Sequence, residues 1–359
     1  MDLTPEQNHV LDEVLKFHKP IQKISGYAGT GKSFLVSVMK EKLPNFSVCT
    51  YTGKAVDVLR KKGISDACTI HSLIYKPLID PNTNQIALDE NGSPIFILNP
   101  SIECSGVIID EASMIGKDIY EDLCSFNIPL IFTGDGGQLE PIGDSNINLM
   151  ANPDYTLETI HRNAGEIAYF AEFIRNGYRP AAFATRSSGK VQFIGKYEAE
   201  NYFTEVDQII CAYNKTRVKV NRIVREILGY NENWPVENDR IMCLKNNKEK
   251  GLFNGMQGGI TKMYGKKPKN KIEFYANNTN FEVRFDPKQF NAEKYEIGHD
   301  KNGPIPFDYA YCITCHRSQG SEYNKVMVLE QKCQAWSHIR WAYTAASRAK
   351  ESVIWVEGY

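Results

Sequence analysis

Gly26-Tyr27-Ala28-Gly29-Thr30-Gly31-Lys32-Ser33 is the stretch whose reading decides the fold. It matches G-x-x-x-x-G-K-[ST], the loop that wraps a nucleoside triphosphate. Its glycines let backbone N–H groups turn onto phosphate oxygens with no side chain in the way. In this pattern Gly26, Ala28, Gly29, Thr30, Gly31, Lys32 and Ser33 form the phosphate cradle. Lys32 neutralises the β- and γ-phosphates, and the Ser33 hydroxyl ligates Mg2+. The flanks agree. Ile21 to Ser25 reads as a short strand, and Ser33 to Lys42 as a helix whose N-terminal dipole faces the phosphates. ATP and Mg2+ are therefore the expected cofactors. A chance match in a glycine-rich turn would lack the strand before it and the helix after it.

Outward from this loop, strand and helix signals alternate. Thr4 to Lys19 reads as helix, Phe46 to Tyr51 as strand, and Lys54 to Lys62 as helix. Gly106 to Asp110 and Pro129 to Thr133 are continuous apolar strands. Strands apolar on both faces and followed by helices predict an α/β fold with a parallel sheet covered on both sides. In such sheets chemistry gathers at the carboxyl ends of the strands. The rhythm breaks between Tyr75 and Cys104, where Ile86-Ala-Leu and Ile95 to Leu98 flank Asn91-Gly92, a hairpin turn signal. A second α/β unit begins near Tyr202, with a strand over Val206 to Ala212 and a helix over Lys215 to Leu228. Gly258 to Pro306 carries short alternating β segments and reads as a small β-rich insertion. Strand–helix patterning resumes at Val326 and runs to Tyr359.

The chain has 359 residues, too many for one ordinary core, and is 42% hydrophobic, enough to fill two. Net charge is −1, so contact with nucleic acid requires a local basic groove. No apolar run reaches membrane length, and Met1 to Gln7 lacks a basic, apolar leader, so a cytoplasmic protein with no membrane partner is expected. Nine cysteines fit reduced thiols in that compartment. Cys312-Ile-Thr-Cys315-His316 is formally a haem-attachment pattern, but that chemistry belongs mostly to exported proteins.

Further residues carry chemistry. Asp110 ends an apolar strand and is placed to hold Mg2+, with Glu111 beside it to orient and deprotonate an attacking water. Two acids after a strand are common; behind a phosphate loop the pair gains meaning. Gly134-Asp-Gly-Gly-Gln138 ends the next strand, and Gln138 can sense the γ-phosphate or the lytic water. A plain turn is the other reading of that segment. Arg162 and Arg348 can each stabilise charge on a transferring phosphoryl group, worth roughly 10³–10⁵ in rate. For a single arginine a surface ion pair is the commoner role.

In order, the chain resembles the superfamily 1B helicases, the 5′-to-3′ branch, and is similar to RecD-like and phage Dda-like enzymes over nearly its whole length. The residues that carry the resemblance are Thr4-Pro-Glu-Gln7, the phosphate loop, Thr52-Gly-Lys-Ala55, Thr69-Ile-His-Ser72, Asp110-Glu111, Gly134-Asp135 with Gln138, Arg162, Asn254-Gly255, Thr314 to Glu322 and Tyr343 to Arg348. Arg317 stands where the family often has lysine, and Ser347 where threonine is usual. The resemblance implies two RecA-like domains, over residues 1–180 and 181–359. It makes the insert near 75–104 a strand-separating pin, and the β-rich insert near 258–308 an SH3-like domain. It also implies that Gln7 reads adenine, and that Gly320 and Glu322 join the nucleotide site. Lys32, Glu111, Gln138, Arg162 and Arg348 become the catalytic set, with Ser33 and Asp110 on the metal.

The implied activity is ATP-dependent unwinding of DNA by a motor that tracks single-stranded DNA 5′ to 3′ and meets duplex junctions. It would work as a monomer, with a single-strand-binding or replisome protein as a possible partner. Thr52, Lys54, Thr69, His71, Asn254, Thr314 and His316 are the expected strand contacts, since backbone grip needs hydroxyls, cations and helix N-termini. Sequence-neutral grip also needs stacking platforms, for which Tyr51, Tyr75, Phe96 and Trp336 are candidates, though aromatics more often fill cores. Phe96, placed near the hairpin tip, is the expected wedge. The basic cluster Lys262 to Lys271 reads equally as a solvated loop. Two alternatives remain: an RNA helicase of the same branch, told apart by contacts to the 2′-hydroxyl, and a P-loop ATPase or binding module that unwinds nothing.

Overall fold

The structure, a computed structural model, describes residues 2–90, 94–141, 147–160, 165–247, 249–265, 270–296 and 303–359. The chain divides into two compact units: Met1–Ile86, Phe96–Pro180 and Ala335–Ser347 form the first, and Ala87–Ile95, Ala181–Gln334 and Arg348–Tyr359 the second.

The first unit opens with α1 (Pro5–Leu15), started by a reciprocal cap in which Thr4 and Gln7 each accept the other's backbone N–H. There follow β1 (Ile21–Gly26), α2 (Lys32–Lys42), β2 (Phe46–Thr50), α3 (Gly53–Lys61), β3 (Cys68–Thr69), α4 (Ile70–Ile74), β4 (Tyr75–Pro77), β5 (Phe96–Leu98), β6 (Gly106–Asp110), α5 (Lys117–Ser125), β7 (Leu130–Gly134), β8 (Tyr155–Leu157) and α6 (Gly165–Arg175). Among the described residues the sheet is parallel, in the order β3-β2-β6-β7-β1-β8. The strand period sorts its apolar residues between two cores. Ile24, Ile108 and Ile131 face Leu35, Val36 and Met39, whereas Val107, Ile109, Leu130 and Phe132 face Leu123 and Ile115. Burial on both faces is why β6 and β7 are apolar without interruption. Each such side chain stabilises the fold by about 1.5–3 kcal/mol.

The second unit holds β9 (Val191–Gly195), β10 (Gln208–Cys211), α7 (Asn214–Ile227), β11 (Arg240–Cys243), β12 (Gln257–Tyr264), β13 (Lys271–Ala276), β14 (Thr279–Asp286), β15 (Ile305–Tyr309), β16 (Cys312–Thr314), α8 (Cys315–Ser318) and β17 (Tyr323–Leu329). The chain then makes α9 (His338–Ala346), which belongs to the first unit, and closes on β18 (Ala349–Glu357). A second parallel sheet runs β16-β10-β17-β18-β9. Strands β11 to β15 close a barrel around Ile241, Phe274, Phe285 and Phe307.

Three placements differ from the expectations. The barrel takes in Arg240–Cys243, ahead of the expected insert, because this short apolar run looks like any buried strand until its partners are known. Ala335–Ser347, expected within the second domain, groups with the first unit, for reasons given by its side chains below. In the hairpin, β5 pairs with β4, setting Tyr75 against Leu98 and Pro77 against Phe96. Beyond that pairing, the described residues 78–90 and 94–95 make single bridges at Ile79–Ile86 and Leu88–Pro94, the second close before Phe96. The Asn91-Gly92 turn lies outside the described residues, as do Lys266 to Lys269 of the basic cluster. No helix among the described residues is long and apolar enough to cross a membrane.

Candidate nucleotide site and strand-contact residues

Three neighbouring parallel strands bring the first set of predicted residues together. In the order β6-β7-β1, Ser25 lies beside Gly134 and Ile109 beside Phe132, so all three strands present their carboxyl ends at one edge. β1 ends in the phosphate loop, where Gly29 and Gly31 take φ of 82° and 77°, a left-handed backbone that side chains resist. Gly31 is the residue from which α2 starts, so α2 begins with Lys32 and directs its free N–H groups at the loop. Ser33 lies in that first turn. The Lys32 ammonium donates to the carbonyls of Gly26 at 2.6 Å and Tyr27 at 3.0 Å, and sits 4.0 Å from the Asp135 carboxylate.

Gln7 is buried, and its side-chain amide donates to the Thr30 carbonyl at 2.9 Å. Its oxygen serves the α1 cap. The observed role of Gln7 is thus to fasten helix α1 to the phosphate loop.

Asp110 is 7% exposed and closes β6. Its Oδ1 accepts from the Thr133 hydroxyl at 2.7 Å and from the Glu111 N–H at 3.0 Å, which leaves Oδ2 for a ligand. Glu111 adopts φ 55°, a strained left-handed conformation for a side chain of its size, and turns the chain out of the strand. Gln138 is 4% exposed, and its side-chain carbonyl is buried without a hydrogen-bond partner. A buried amide oxygen left in this condition costs about 1–3 kcal/mol, so it marks a place where a ligand or water belongs. Hard oxygen donors at Asp110 and Ser33, a lysine and a helix N-terminus form the donor set a triphosphate with Mg2+ requires.

Two residues at this edge were not singled out in the sequence. The Tyr343 hydroxyl, carried by α9, donates to Asp135 Oδ2 at 2.5 Å and accepts from the Ala28 N–H of the phosphate loop at 2.9 Å. The Arg175 guanidinium lies 3.2 Å over the Tyr27 ring. Neither contact has a local sequence signal, although Tyr343 stood within a quoted motif. Arg162 lies outside the described residues.

Strand-contact candidates in the first unit share the ends of β2 and β3, which pair side by side. Thr52 and Thr69 head α3 and α4, their hydroxyls accepting from Ala55 N–H and Ser72 N–H, each at 3.2 Å. Lys54 stands in the first turn of α3. His71 is half-buried between Tyr51 and Tyr75, ring centroids 5.9 and 5.5 Å away, and burial holds its imidazole below its usual value. The Tyr75 hydroxyl is tied to Asp122, and both tyrosines pack against the core. Phe96 is 59% exposed. Trp336 is partly buried in the first unit.

In the second unit, Thr314 ends β16 and is buried, while burial likewise holds the His316 imidazole on α8 below its usual value. Gly320 is buried with φ 69°. Arg348 is 5% exposed, and its guanidinium donates to the Ser321 carbonyl at 3.3 Å. Glu322 is exposed and pairs with Lys350 at 3.0 Å. Asn254 sits in the turn between β11 and β12, its N–H on the Asn246 side chain. Cys312 and Cys315 are fully buried core thiols, and burial pushes Cys315 up to about 12, which removes them from haem attachment.

The AAA domain family matches residues 2–196, more than half of the chain. This chain belongs to that family. The UvrD-like helicase C-terminal domain matches residues 309–356, which span β16 to β18. The AAA-domain protein is 27% identical over 200 residues to the uncharacterized protein R530 of Acanthamoeba polyphaga mimivirus, covering 47% of this chain and 40% of that protein. It is 24% identical over 381 residues to the ATP-dependent RecD2 DNA helicase of Deinococcus radiodurans, covering 97% of this chain and 48% of that enzyme. The chain thus spans under half the length of both curated relatives. Among solved structures, Pif1 helicase from Bacteroides in complex with ADP-AlF3 and ssDNA superposes with a TM-score of 0.63 at 21% identity, covering 99% of this chain and 92% of that one. The fold is the one shared with that Pif1 helicase, with two RecA-like domains.

Proposed function

We propose that this chain is an ATP-driven DNA helicase that moves along single-stranded DNA 5′ to 3′ and separates duplex at its hairpin. One observation carries the reading: the phosphate loop, Asp110-Glu111 and Gln138 converge at the carboxyl edge of β1, β6 and β7. Relatives named for helicase activity, one of them solved with a nucleotide analogue and ssDNA, support it.

In this reading Lys32 leaves the Gly26 and Tyr27 carbonyls for the β- and γ-phosphates, a charge-for-dipole exchange that favours the anion. Asp110 and Ser33 would hold Mg2+, which when bound supplies charge neutralisation for the phosphate oxygens. Glu111 positions the attacking water and accepts its proton. Gln138 reports the γ-phosphate by donating its side-chain amide N–H to it, while its unpartnered carbonyl accepts from the attacking water. Arg348 and Arg162 are the candidate arginine fingers, with Gly320 beside the first of these. The hydroxyls of Thr52, Thr69 and Thr314, with Lys54, His71, Asn254 and His316, grip the strand backbone. The hairpin of β4 and β5 is the pin, with Phe96 and Leu88 as its exposed apolar side chains.

The test is ATP hydrolysis by Lys32→Ala and Arg348→Ala beside the parent. Both should lose hydrolysis, and Arg348→Ala should still bind single strands. Wild-type turnover by Lys32→Ala would mean the site is misassigned.

A further inference from the structure

Helix α9 makes an unusual set of polar contacts with the loop that follows β7. The Tyr343 hydroxyl bridges the Ala28 N–H and the Asp135 carboxylate. One residue on, the Thr344 hydroxyl accepts the Leu139 N–H at 2.9 Å. The Arg340 guanidinium reaches the Gln138 carbonyl at 3.4 Å and the Glu140 carboxylate at 2.9 Å. Tyr343, Thr344, Asp135 and Gln138 are all buried. The intervening Gly137 leaves room for the ring and nothing more. A Cβ there would stand 3.0 Å from Tyr343 Cε1, 3.2 Å from Arg175 Cδ and 3.3 Å from Asp135 Oδ1.

The chemistry of this bridge is specific. Asp135 is 1% exposed and carries a charge that needs donors; its Oδ1 takes the Gly137 N–H at 2.9 Å and its Oδ2 the tyrosine hydroxyl. Oδ2 is also the atom 4.0 Å from the Lys32 ammonium. The hydroxyl therefore competes with Lys32 for the same carboxylate oxygen. At the same time it occupies a backbone N–H in the middle of the phosphate loop. Phenylalanine would fill the same space and satisfy neither group.

We propose that Tyr343 is a positioning residue for nucleotide hydrolysis: its hydroxyl holds the phosphate loop and the Asp135–Gln138 segment in register and keeps Asp135 from capturing Lys32. The proposal rests on the reading of this edge as an ATPase site. Tyr343 does not touch the reacting atoms; it acts through Ala28, Asp135 and Lys32. In sequence, α9 is followed by Ser347 and then by Arg348, the candidate finger.

The experiment compares the parent, Tyr343→Phe, Asp135→Asn and the double variant in the full chain. Three readouts are taken: the dissociation constant for a fluorescent ADP, kcat and KM for hydrolysis without any strand, and thermal melting. Loss of one hydrogen bond to a charged acceptor predicts a fall in kcat of roughly ten-fold or more for Tyr343→Phe. ADP binding should weaken less than kcat falls, because ADP offers Lys32 only its β-phosphate and lacks the γ-phosphate that Gln138 also meets. The double variant should be no worse than Tyr343→Phe alone, since an asparagine at 135 has no charge with which to capture Lys32. Unchanged kcat in Tyr343→Phe overturns the proposal. So do a kcat loss matched by an equal loss of folded protein on melting, and strictly additive singles. Turnover retained by Lys32→Ala in the same series would instead mean that the ATPase reading itself is wrong.

Discussion

Thr133→Val tests how the metal carboxylate is held. Thr133 is 1% exposed and donates to Asp110 Oδ1 at 2.7 Å. Valine keeps the shape and removes the donor, leaving the Glu111 N–H at 3.0 Å as the other observed donor to that oxygen. Asp110 then stays near its place with its plane less fixed. A hydrogen bond to a charged acceptor is worth about 1.5–3 kcal/mol net, which is roughly ten-fold to over a hundred-fold in an equilibrium. Partners that orient a metal ligand cost about 10–100-fold in metal affinity when removed, the same range. The assay is ATP hydrolysis titrated with Mg2+ at fixed ATP. The half-saturating Mg2+ should rise about ten-fold or more, with much of kcat recovered at high Mg2+. Asp110→Asn in the same titration should recover nothing. An unchanged Mg2+ requirement in both variants would refute the assignment of Asp110 to the metal. An unchanged requirement in Thr133→Val alone would refute the orienting role of the hydroxyl.

Other outcomes follow from single contacts. Phe96→Ala and Leu88→Ala, at sites 59% and 58% exposed, should shift stability by no more than about 0.5 kcal/mol, yet lower unwinding of a tailed duplex while hydrolysis persists. Asp308→Asn should destabilise the second unit by about 3–5 kcal/mol on denaturant unfolding, because Arg217, fully buried and paired with Asp308, would lose its counter-charge. Burial depresses His71 and His316, so the unfolded chain takes up protons before the folded one does; melting temperature should fall as pH drops below the ordinary histidine value of 6.5, and His71→Gln should flatten that slope.

The parts of the site that lie on one strand and its following turn were legible in the sequence. β6 and β7 are apolar on both faces, and β1, β6 and β7 each lead into residues whose chemistry is out of place in a core: Lys32, Asp110 and Gln138. Local chemistry of that kind needs no knowledge of partners. What stayed hidden depends on tertiary pairing. Tyr343 and Thr344 sit among buried alanines on α9; their hydroxyls, meeting Asp135 and the Leu139 N–H, and the packing of α9 on α6 tie this stretch to the first unit. The pairing of β5 with β4 was hidden because β4, which follows α4 directly, is a short run with no alternation of its own. Gln7 had a legible cap motif, yet its amide grip on Thr30 is a contact across 23 residues that no window of sequence contains. Glu322 rests on the resemblance, and its pairing with Lys350 of β18 is again a contact no local window contains.

The most direct test of the central claim is the rate of ATP hydrolysis with and without single-stranded DNA, with RNA of equal length in parallel. The account predicts strong stimulation by DNA and little by RNA, lost in Lys32→Ala. Equal stimulation by RNA would move the substrate to the RNA helicases, and no stimulation by either strand would contradict the assignment of Thr52, Lys54, Thr69 and His71 to strand contact.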